Sequence, residues 1–311
     1  MLDALSKSFF HTLAGSRSLK RLASSYGMRR RESFARRFIA GETLDEALIV
    51  ARELEAKGLT VTLDQLGESV SSLDAARSAT HGYIALIEQV IRAGIAHNLS
   101  LKLTQLGLDL DRNATRDNLR RILDAASAAA FFVRIDMESS PYVDHTLDIW
   151  ESLWTSGYRH VGIVLQSALF RSEQDLRRVM AAGGRVRLVK GAYNEPADVA
   201  YRAKSDVDAA YVRMAKELLQ HSEYPAIATH DEHLIDTIRA FAASAQIAPS
   251  RYEFQMLYGI RRDLQNALVA TGYGMRIYVP FGKEWFPYFM RRLGERPANV
   301  AFVLRGILQE R

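Results

Sequence analysis

The sequence contains no cysteine and no long hydrophobic run. Its 311 residues therefore offer no disulfide, no thiolate nucleophile and no cysteine ligand for zinc or an iron–sulfur cluster. No apolar stretch approaches the roughly 18 residues that a membrane-spanning helix needs. The GxGxxG, Walker A and GxSxG motifs are also missing. A phosphate-bearing ligand would consequently have to be held by side chains rather than by a glycine-rich loop.

The composition indicates a globular protein with a large core. Hydrophobic residues make up 48% of the chain, and the net charge is +5 with a pI near 9.4. The lack of thiols fits a reducing compartment. The mild positive excess favours anionic ligands or a membrane surface.

Short β-rich segments alternate with helical ones from residue 59 onwards. Eight such segments occur, at residues 59–64, 99–105, 131–137, 160–166, 185–190, 226–230, 252–257 and 274–279. Helical stretches lie between them, near 70–97, 114–128, 142–156, 171–182, 197–221, 231–246 and 260–271. This alternation predicts an α/β fold, most economically a closed (βα)8 barrel in a single domain. We expect the barrel domain to span 58–311 and an N-terminal helical segment to span 1–57.

The first 40 residues are helical in pattern and rich in arginine. Three interpretations stay open: an amphipathic helix packed on the domain, a surface for anionic lipid or a partner, and a mitochondrial presequence. Asp3 fits a presequence poorly, so a cytoplasmic location is favoured, with peripheral contact at the inner membrane face as the alternative. Thr43 and Glu46 predict a capping box that opens a helix to about Lys57.

Polar residues collect where the predicted strands end, which is where (βα)8 barrels carry their chemistry. Asp136 is the candidate acid that faces inward. The expected inward cations are Lys102, Arg187, Lys190, Arg291 and Arg292. So many cations around one cavity predict an anionic ligand, either a carboxylate, a nucleotide pyrophosphate, or both.

Taken alone, several of these residues have more than one interpretation. Lys102 fits a Schiff-base lysine, a salt-bridged lysine or a carboxylate ligand. For His230 the sequence favours a structural role or a cofactor contact over a metal site. Arg291 and Arg292 lie three or four residues before Glu295, so the acid can hold one guanidinium while substrate is gripped bidentately. The residues around these arginines are too aromatic for an ordinary helix of the barrel's outer ring.

Five motifs in order resemble the proline dehydrogenase family. They are Arg187-Leu-Val-Lys-Gly-Ala-Tyr193, Ala228-Thr-His230, Phe254-Gln-Met-Leu-Tyr-Gly259, Arg276-Ile-Tyr-Val-Pro280 and Tyr288-Phe-Met-Arg-Arg-Leu-Gly-Glu295. The resemblance covers roughly residues 60 to 300. It implies a flavoenzyme that oxidises L-proline to Δ1-pyrroline-5-carboxylate on a (βα)8 barrel, with the last helix over the barrel mouth.

The resemblance also assigns the substrate site. Arg291, Arg292 and Lys102 would hold the proline carboxylate, and Glu295 would position an arginine. Tyr278 and Leu257 would pack on the pyrrolidine ring, with the tyrosine excluding hydroxyproline. Asp136 would support the site through Lys102 or Tyr278. No side chain is assigned as a base; water is adequate.

The cofactor implied by the resemblance is noncovalent FAD. Arg187 would lie near its reactive nitrogen, and Gln166 would hydrogen-bond the flavin ring. Further contacts would come from Met137, Val189, Lys190, Gly191, Thr229 and His230. The implied partners are a membrane quinone as electron acceptor and, as a functional link, pyrroline-5-carboxylate dehydrogenase.

Two competing functions make different predictions. A Schiff-base lyase or aldolase on the same fold would use Lys102 or Lys190 as its nucleophile. A basic protein that binds nucleic acid would carry its cations in one exposed stripe, whereas here they occur at predicted strand ends. We therefore expect no nucleic-acid partner.

Overall fold

Eight parallel strands form a closed barrel in which each strand pairs with the next and β8 pairs with β1. The computed structural model describes residue 28 and residues 33–295. The strands are β1 Thr60–Gln65, β2 Asn98–Leu101, β3 Phe132–Ile135, β4 Val161–Gln166, β5 Arg185–Val189, β6 Ala226–Ala228, β7 Glu253–Leu257 and β8 Gly274–Phe281. The predicted (βα)8 barrel is confirmed.

Helices precede, separate and follow the strands. They are α1 Leu44–Glu55, α2 Leu73–Ala93, α3 Arg112–Ser127, α4 Val143–Thr155, α5 Ser172–Ala181, α6 Lys204–His221, α7 Glu232–Ser244, α8 Arg262–Ala270 and α9 Trp285–Glu295. The capping box predicted at Thr43 is present, because its side chain accepts from the Glu46 amide and the glutamate carboxylate accepts from the Thr43 amide. No helix in the described part of the chain is long and apolar enough to cross a membrane.

The two faces of each strand differ in character. On β1 the outward side chains of Val61 and Leu63 are buried under the helices, whereas Thr62 and Asp64 lie on the inward face. Because side chains alternate along a strand, the register places Asp64 beside Ser100 and Thr62 beside Tyr278. The barrel interior is therefore polar at its C-terminal end.

Two predicted boundaries were wrong. Strand 99–105 ends at Leu101, since the amide and hydroxyl of Thr104 bind the Glu138 carboxylate and Thr104–Leu106 form a 3₁₀ turn. The helix predicted from residue 197 begins at Lys204. The residues before it instead form a turn at 197–199 and an isolated antiparallel bridge between Leu169 and Ala200.

Helix α9 packs at the C-terminal end of the barrel, as predicted. Its aromatic side chains share a buried cluster with Phe38, Ile39 and Leu66, the last of which directly follows β1. The rings of Phe38 and Phe289 are 6.3 Å apart. The segment before α1 thus supports the helix that carries Arg291 and Arg292. The rest of the predicted N-terminal helical region, residues 1–27 and 29–32, lies outside the described residues.

Candidate active site

A buried hydrogen-bond network crosses the barrel interior around Arg187. Its Nη1 lies 2.7 Å from Asp136 Oδ1 and donates to Ser100 Oγ at 3.0 Å. Its Nε donates to Gln255 Oε1 at 2.6 Å. Because β2, β5 and β7 are not neighbours, these contacts require all the side chains to reach inward. The predicted inward orientation of Asp136 and Arg187 is therefore observed.

Tyr278 joins the same network from β8. Its hydroxyl donates to Asp136 Oδ2 at 2.7 Å, and the Arg187 guanidinium lies 5.4 Å from its ring centroid. Burial and the neighbouring Asp136 raise the pKa of Tyr278 well above its ordinary value. The hydroxyl therefore stays protonated and remains a donor. Of the two expected partners of Asp136, Tyr278 is the one that hydrogen-bonds to it.

Lys102 follows β2 and faces two carboxylates. Burial acts to lower its pKa, but Asp64 and Asp136 outweigh that effect and raise it above the ordinary value. The ammonium group therefore stays charged. A charged lysine suits a carboxylate ligand and does not suit a Schiff-base nucleophile, which needs a depressed pKa.

Two arginines of α9 lie over the barrel mouth. Arg291 Nη1 and Nη2 lie 2.8 and 3.4 Å from the two carboxylate oxygens of Glu68, in the loop after β1. Arg292 is buried, with its guanidinium 5.1 Å from the Tyr288 ring centroid. The side chain of Glu295 lies outside the described residues, so its predicted role stays a prediction.

The predicted cofactor residues lie on and after β3 to β6. Gln166 is buried, and its Nε2 donates to the Glu138 carbonyl oxygen at 2.9 Å. Gly191 has φ +112°, and a Cβ placed there would stand 3.3 Å from Gln166 Oε1. Glycine thus keeps space open beside the amide of Gln166. Met137 is buried and Val189 is half-buried.

His230 and Thr229 shape the end of β6. His230 Nε2 accepts the backbone N–H of Leu257 at 2.9 Å, which ties the loop after β6 to β7. Leu257 is in turn the register partner of Tyr278. The two side chains predicted to touch the substrate ring therefore sit side by side on adjacent strands. Thr229 is buried and accepts the Asp231 amide.

Lys190 departs from the predicted cationic set. Its ammonium lies 2.6 Å from Asp208 on α6 and 3.1 Å from Asp231 before α7, and Lys204 bridges the same two acids. Although burial opposes them, hydrogen bonds from Lys190 and Lys204 lower the pKa of Asp231 to about 2. The charge of Lys190 is matched by carboxylates on the surrounding helices, so it adds no uncompensated cation to the cavity.

Comparison with known proteins identifies the family of this chain. The family model for proline dehydrogenase matches residues 47–305. The chain belongs to the proline dehydrogenase family. "Proline dehydrogenase 2" of Bacillus subtilis (strain 168) is 40% identical over 306 residues, which cover 98% of this chain and 100% of that protein. "Proline dehydrogenase" of Deinococcus radiodurans is 40% identical over 313 residues, which cover 99% of this chain and 100% of that protein.

A solved structure resembles the barrel. Proline utilization A (PutA) from Bdellovibrio bacteriovorus, inactivated by N-propargylglycine, has a TM-score of 0.78 and 29% identity; the match covers 84% of this chain and 32% of that one. Membership of the proline dehydrogenase family implies a flavin cofactor and agrees with the motifs found in the sequence.

Four residues of the site were missed by sequence reasoning. Ser100 and Gln255 lie two residues before Lys102 and Leu257, on the same strand faces. Asp64 ends the predicted first strand, and Glu68 follows it. Strand alternation could have found the first three. Glu68 lies in a loop, where no periodicity indicates a direction.

Proposed function

We propose that this protein oxidises L-proline to Δ1-pyrroline-5-carboxylate with FAD, as the first step of proline catabolism. The observation that carries the proposal is the arrangement of Arg187, Asp136 and Tyr278 inside the barrel of a proline dehydrogenase family member, beneath Arg291 and Arg292. A part-exposed and a buried arginine above a polar barrel floor suit a small anionic substrate that must be held rigidly.

The substrate carboxylate would bind between Lys102, Arg291 and Arg292. An arginine fork grips a carboxylate through two parallel bonds, and the ammonium group of Lys102 adds a third positive charge. Arg291 would exchange the Glu68 carboxylate for that of the substrate. Holding one end of the molecule fixes the reacting carbon in place, which is a positioning contribution to rate.

The pyrrolidine ring would pack on Leu257 and Tyr278. Their adjacent register places both side chains at one level of the barrel. Tyr278 is fixed by its bond to Asp136, so its ring would crowd a hydroxyl on the substrate. This supports proline over hydroxyproline as the substrate.

The cofactor residues fit a flavin bound at the strand ends. The flavin would be held by Gln166, Gly191, Met137, Val189, Thr229 and His230. Arg187 would lie near its reactive nitrogen, and Lys190 would make a further contact. When bound, FAD accepts the hydride from the ring carbon next to nitrogen. The space beside Gln166 that Gly191 leaves open supports this placement. The cations around the cavity would lower the pKa of the substrate amine and favour its neutral form.

The electrons and the product then need acceptors. We propose a membrane quinone for the electrons, with the basic first 40 residues as the surface that contacts the membrane from the cytoplasm. Residues 1–57 would form an N-terminal helical segment, and residues 58–311 would form the catalytic barrel. The "Bifunctional protein PutA" of Escherichia coli is 30% identical over 351 residues, which cover 93% of this chain and 26% of that protein. This supports a functional link to a pyrroline-5-carboxylate dehydrogenase.

A visible absorption spectrum tests the proposal. The purified protein is recorded with added FAD, before and after anaerobic L-proline. We expect flavin bands that bleach on addition of proline. Bands that persist would keep the flavin and reject this substrate. No bound flavin would reject the proposal and favour a lyase, which borohydride trapping with a carbonyl substrate would test.

A further inference from the structure

Asp64 is a buried acid that the function proposed above leaves without a role. It lies near the C-terminal end of β1 on the inward face, in register with Ser100 on one side and Pro280 on the other. Its side chain is fully buried. A buried carboxylate is costly unless its oxygens are hydrogen-bonded. A carboxylate in this position therefore needs hydrogen-bond donors for its oxygens.

One oxygen of Asp64 lacks a partner. Its Oδ2 is buried and accepts no hydrogen bond from any residue in the described part of the chain. Buried polar atoms in folded proteins are nearly always paired, so an unpaired oxygen on the inward face of the barrel points to a donor that arrives with the ligand.

The other acids of the site already have their oxygens engaged. Asp136 binds Arg187 and Ser100 through Oδ1 and Tyr278 through Oδ2. Both oxygens of Glu138 accept from Thr104. Glu68 contacts Arg291 with both of its oxygens. Asp64 differs from these three acids because its Oδ2 accepts no hydrogen bond from the described residues.

The charged groups around Asp64 come from four sides. The pKa of Asp64 is affected by Lys102 after β2, Asp136 after β3, Arg187 on β5 and Tyr278 on β8. The charge of Asp64 in turn raises the pKa of Tyr83 on α2. Burial, aided by Asp136, raises the pKa of Asp64 in spite of the opposing effects of Lys102 and Tyr278. A carboxyl group with a raised pKa is a better proton acceptor than an ordinary one.

We propose that Asp64 Oδ2 accepts a hydrogen bond from the substrate's secondary ammonium group and then takes its proton. This inference rests on the proposed function, because it needs an amine whose carboxylate is held by Lys102 and the α9 arginines. It assigns the amine end of the substrate to β1 and the carboxylate end to α9.

The step balances as a proton transfer. One N–H bond of the ammonium group breaks, and its electron pair stays on nitrogen as the lone pair. A bond from the proton to Asp64 Oδ2 forms, and the carboxylate becomes a neutral acid. The lone pair is then available to form the carbon–nitrogen double bond as hydride leaves the adjacent ring carbon. The product forms as an iminium that keeps the second N–H.

The test compares two ligands on the FAD-loaded protein. L-Proline has both the carboxylate and the N–H donor. Its ring-oxygen analogue, tetrahydrofuran-2-carboxylate, has the carboxylate but no N–H. The variant is Asp64→Asn, and the control is Asp109→Asn, which alters an exposed acid that accepts from Tyr142. Melting temperature and flavin content are recorded for each.

For D64N we expect kcat/KM for proline at pH 7 to fall about 100-fold, within the usual range for loss of a general base. The inhibition constant of the analogue should change less than about threefold, since the carboxylate contacts are intact. The loss should shrink as pH rises, because more proline then arrives as the free amine. D109N should match the wild type.

Three outcomes would contradict the inference. D64N could retain kcat/KM for proline within threefold, it could weaken the binding of proline and of the analogue equally, or its loss of kcat/KM could be the same at every pH.

If D64N fails to retain flavin, Asp64→Glu provides the test. A displaced carboxylate should move the pH at which kcat/KM is half-maximal, and an unchanged pH profile would reject the role. Failure of the proposed function is distinct, because the wild type would then neither oxidise proline nor bind the analogue.

Discussion

Arg291 and Glu68 form a two-point ion pair at the mouth of the barrel, with nitrogen–oxygen distances of 2.8 and 3.4 Å. Glu68 follows β1 and Arg291 lies on α9, so the pair joins the first and last parts of the barrel. The arginine is part-exposed, and the Glu68 carboxylate occupies the fork that a substrate carboxylate would use. In the proposed binding mode, the two carboxylates compete for one guanidinium.

This competition predicts opposite effects of two substitutions. Arg291→Met should raise KM for proline by about 10- to 100-fold, as expected for loss of a charged hydrogen bond. Glu68→Gln should lower KM, up to about 10-fold, because the amide is a weaker competitor. Steady-state kinetics and flavin content check both. Arg178→Met removes an exposed guanidinium of α5 and should change neither value. A rise in KM for both site variants would instead make Glu68 an orienting partner.

The Asp136–Arg187 pair should contribute strongly to stability. The side chains are 13% and 5% exposed, and their ion pair measures 2.7 Å. Asp136→Asn keeps the shape but leaves a buried guanidinium without its anion, which costs about 3–5 kcal/mol. Urea unfolding measures the loss. Asp109→Asn changes a more exposed acid and should cost under about 1 kcal/mol. A similar small loss for both would show that Ser100 and Gln255 alone satisfy Arg187.

The strength of the sequence patterns explains which features were predictable. Alternating strands and helices are local patterns, so the barrel and the Thr43 capping box followed from residue spacing. The inward direction of Asp136 and Arg187 likewise followed from position on a strand.

Contacts between residues that are distant in the chain leave no such local pattern in the sequence. The ion pair between Arg291 and Glu68 was not predicted, because the two residues lie 223 positions apart in the chain. Lys190 was expected among the inward cations, and its ion pairs with Asp208 and Asp231 were not predicted. Spacing along the chain gives a side chain's direction, and only the closed barrel determines which charges meet.

The depressed pKa of Asp231 predicts that the folded protein loses stability at acidic pH. Its pKa falls to about 2 in the folded protein, below the ordinary value of 3.8. A depressed carboxyl pKa stabilises the folded state above the unfolded pKa, and that stability is lost as pH falls from about 4 towards 2. At pH 6, Asp231→Asn should therefore lower the urea midpoint relative to the wild type. The gap should narrow at pH 3. A gap that is constant with pH would mean that the loss does not come from ionisation.

The close approach of Gly259 to the backbone of Arg37 predicts that the segment before α1 helps to position α9. A Cβ at Gly259 would stand 1.7 Å from the Arg37 carbonyl oxygen, so an alanine must displace residues next to Phe38. Phe38 packs on Phe289 of the helix that carries Arg291. Gly272→Ala is the matched control, since its φ of +85° resembles the +78° of Gly259 but no atom lies within 4 Å of its Cβ.

Both glycine variants should lose about 1 kcal/mol from the positive φ. Gly259→Ala should lose more, because the clash adds to that strain, and it should also raise KM for proline by several-fold as α9 shifts. Urea unfolding and steady-state kinetics measure the two effects. Equal stability losses with an unchanged KM in both variants would separate the N-terminal segment from the substrate site. A raised KM in Gly259→Ala alone would show that the position of the arginines proposed to bind the substrate depends on the chain that precedes the barrel.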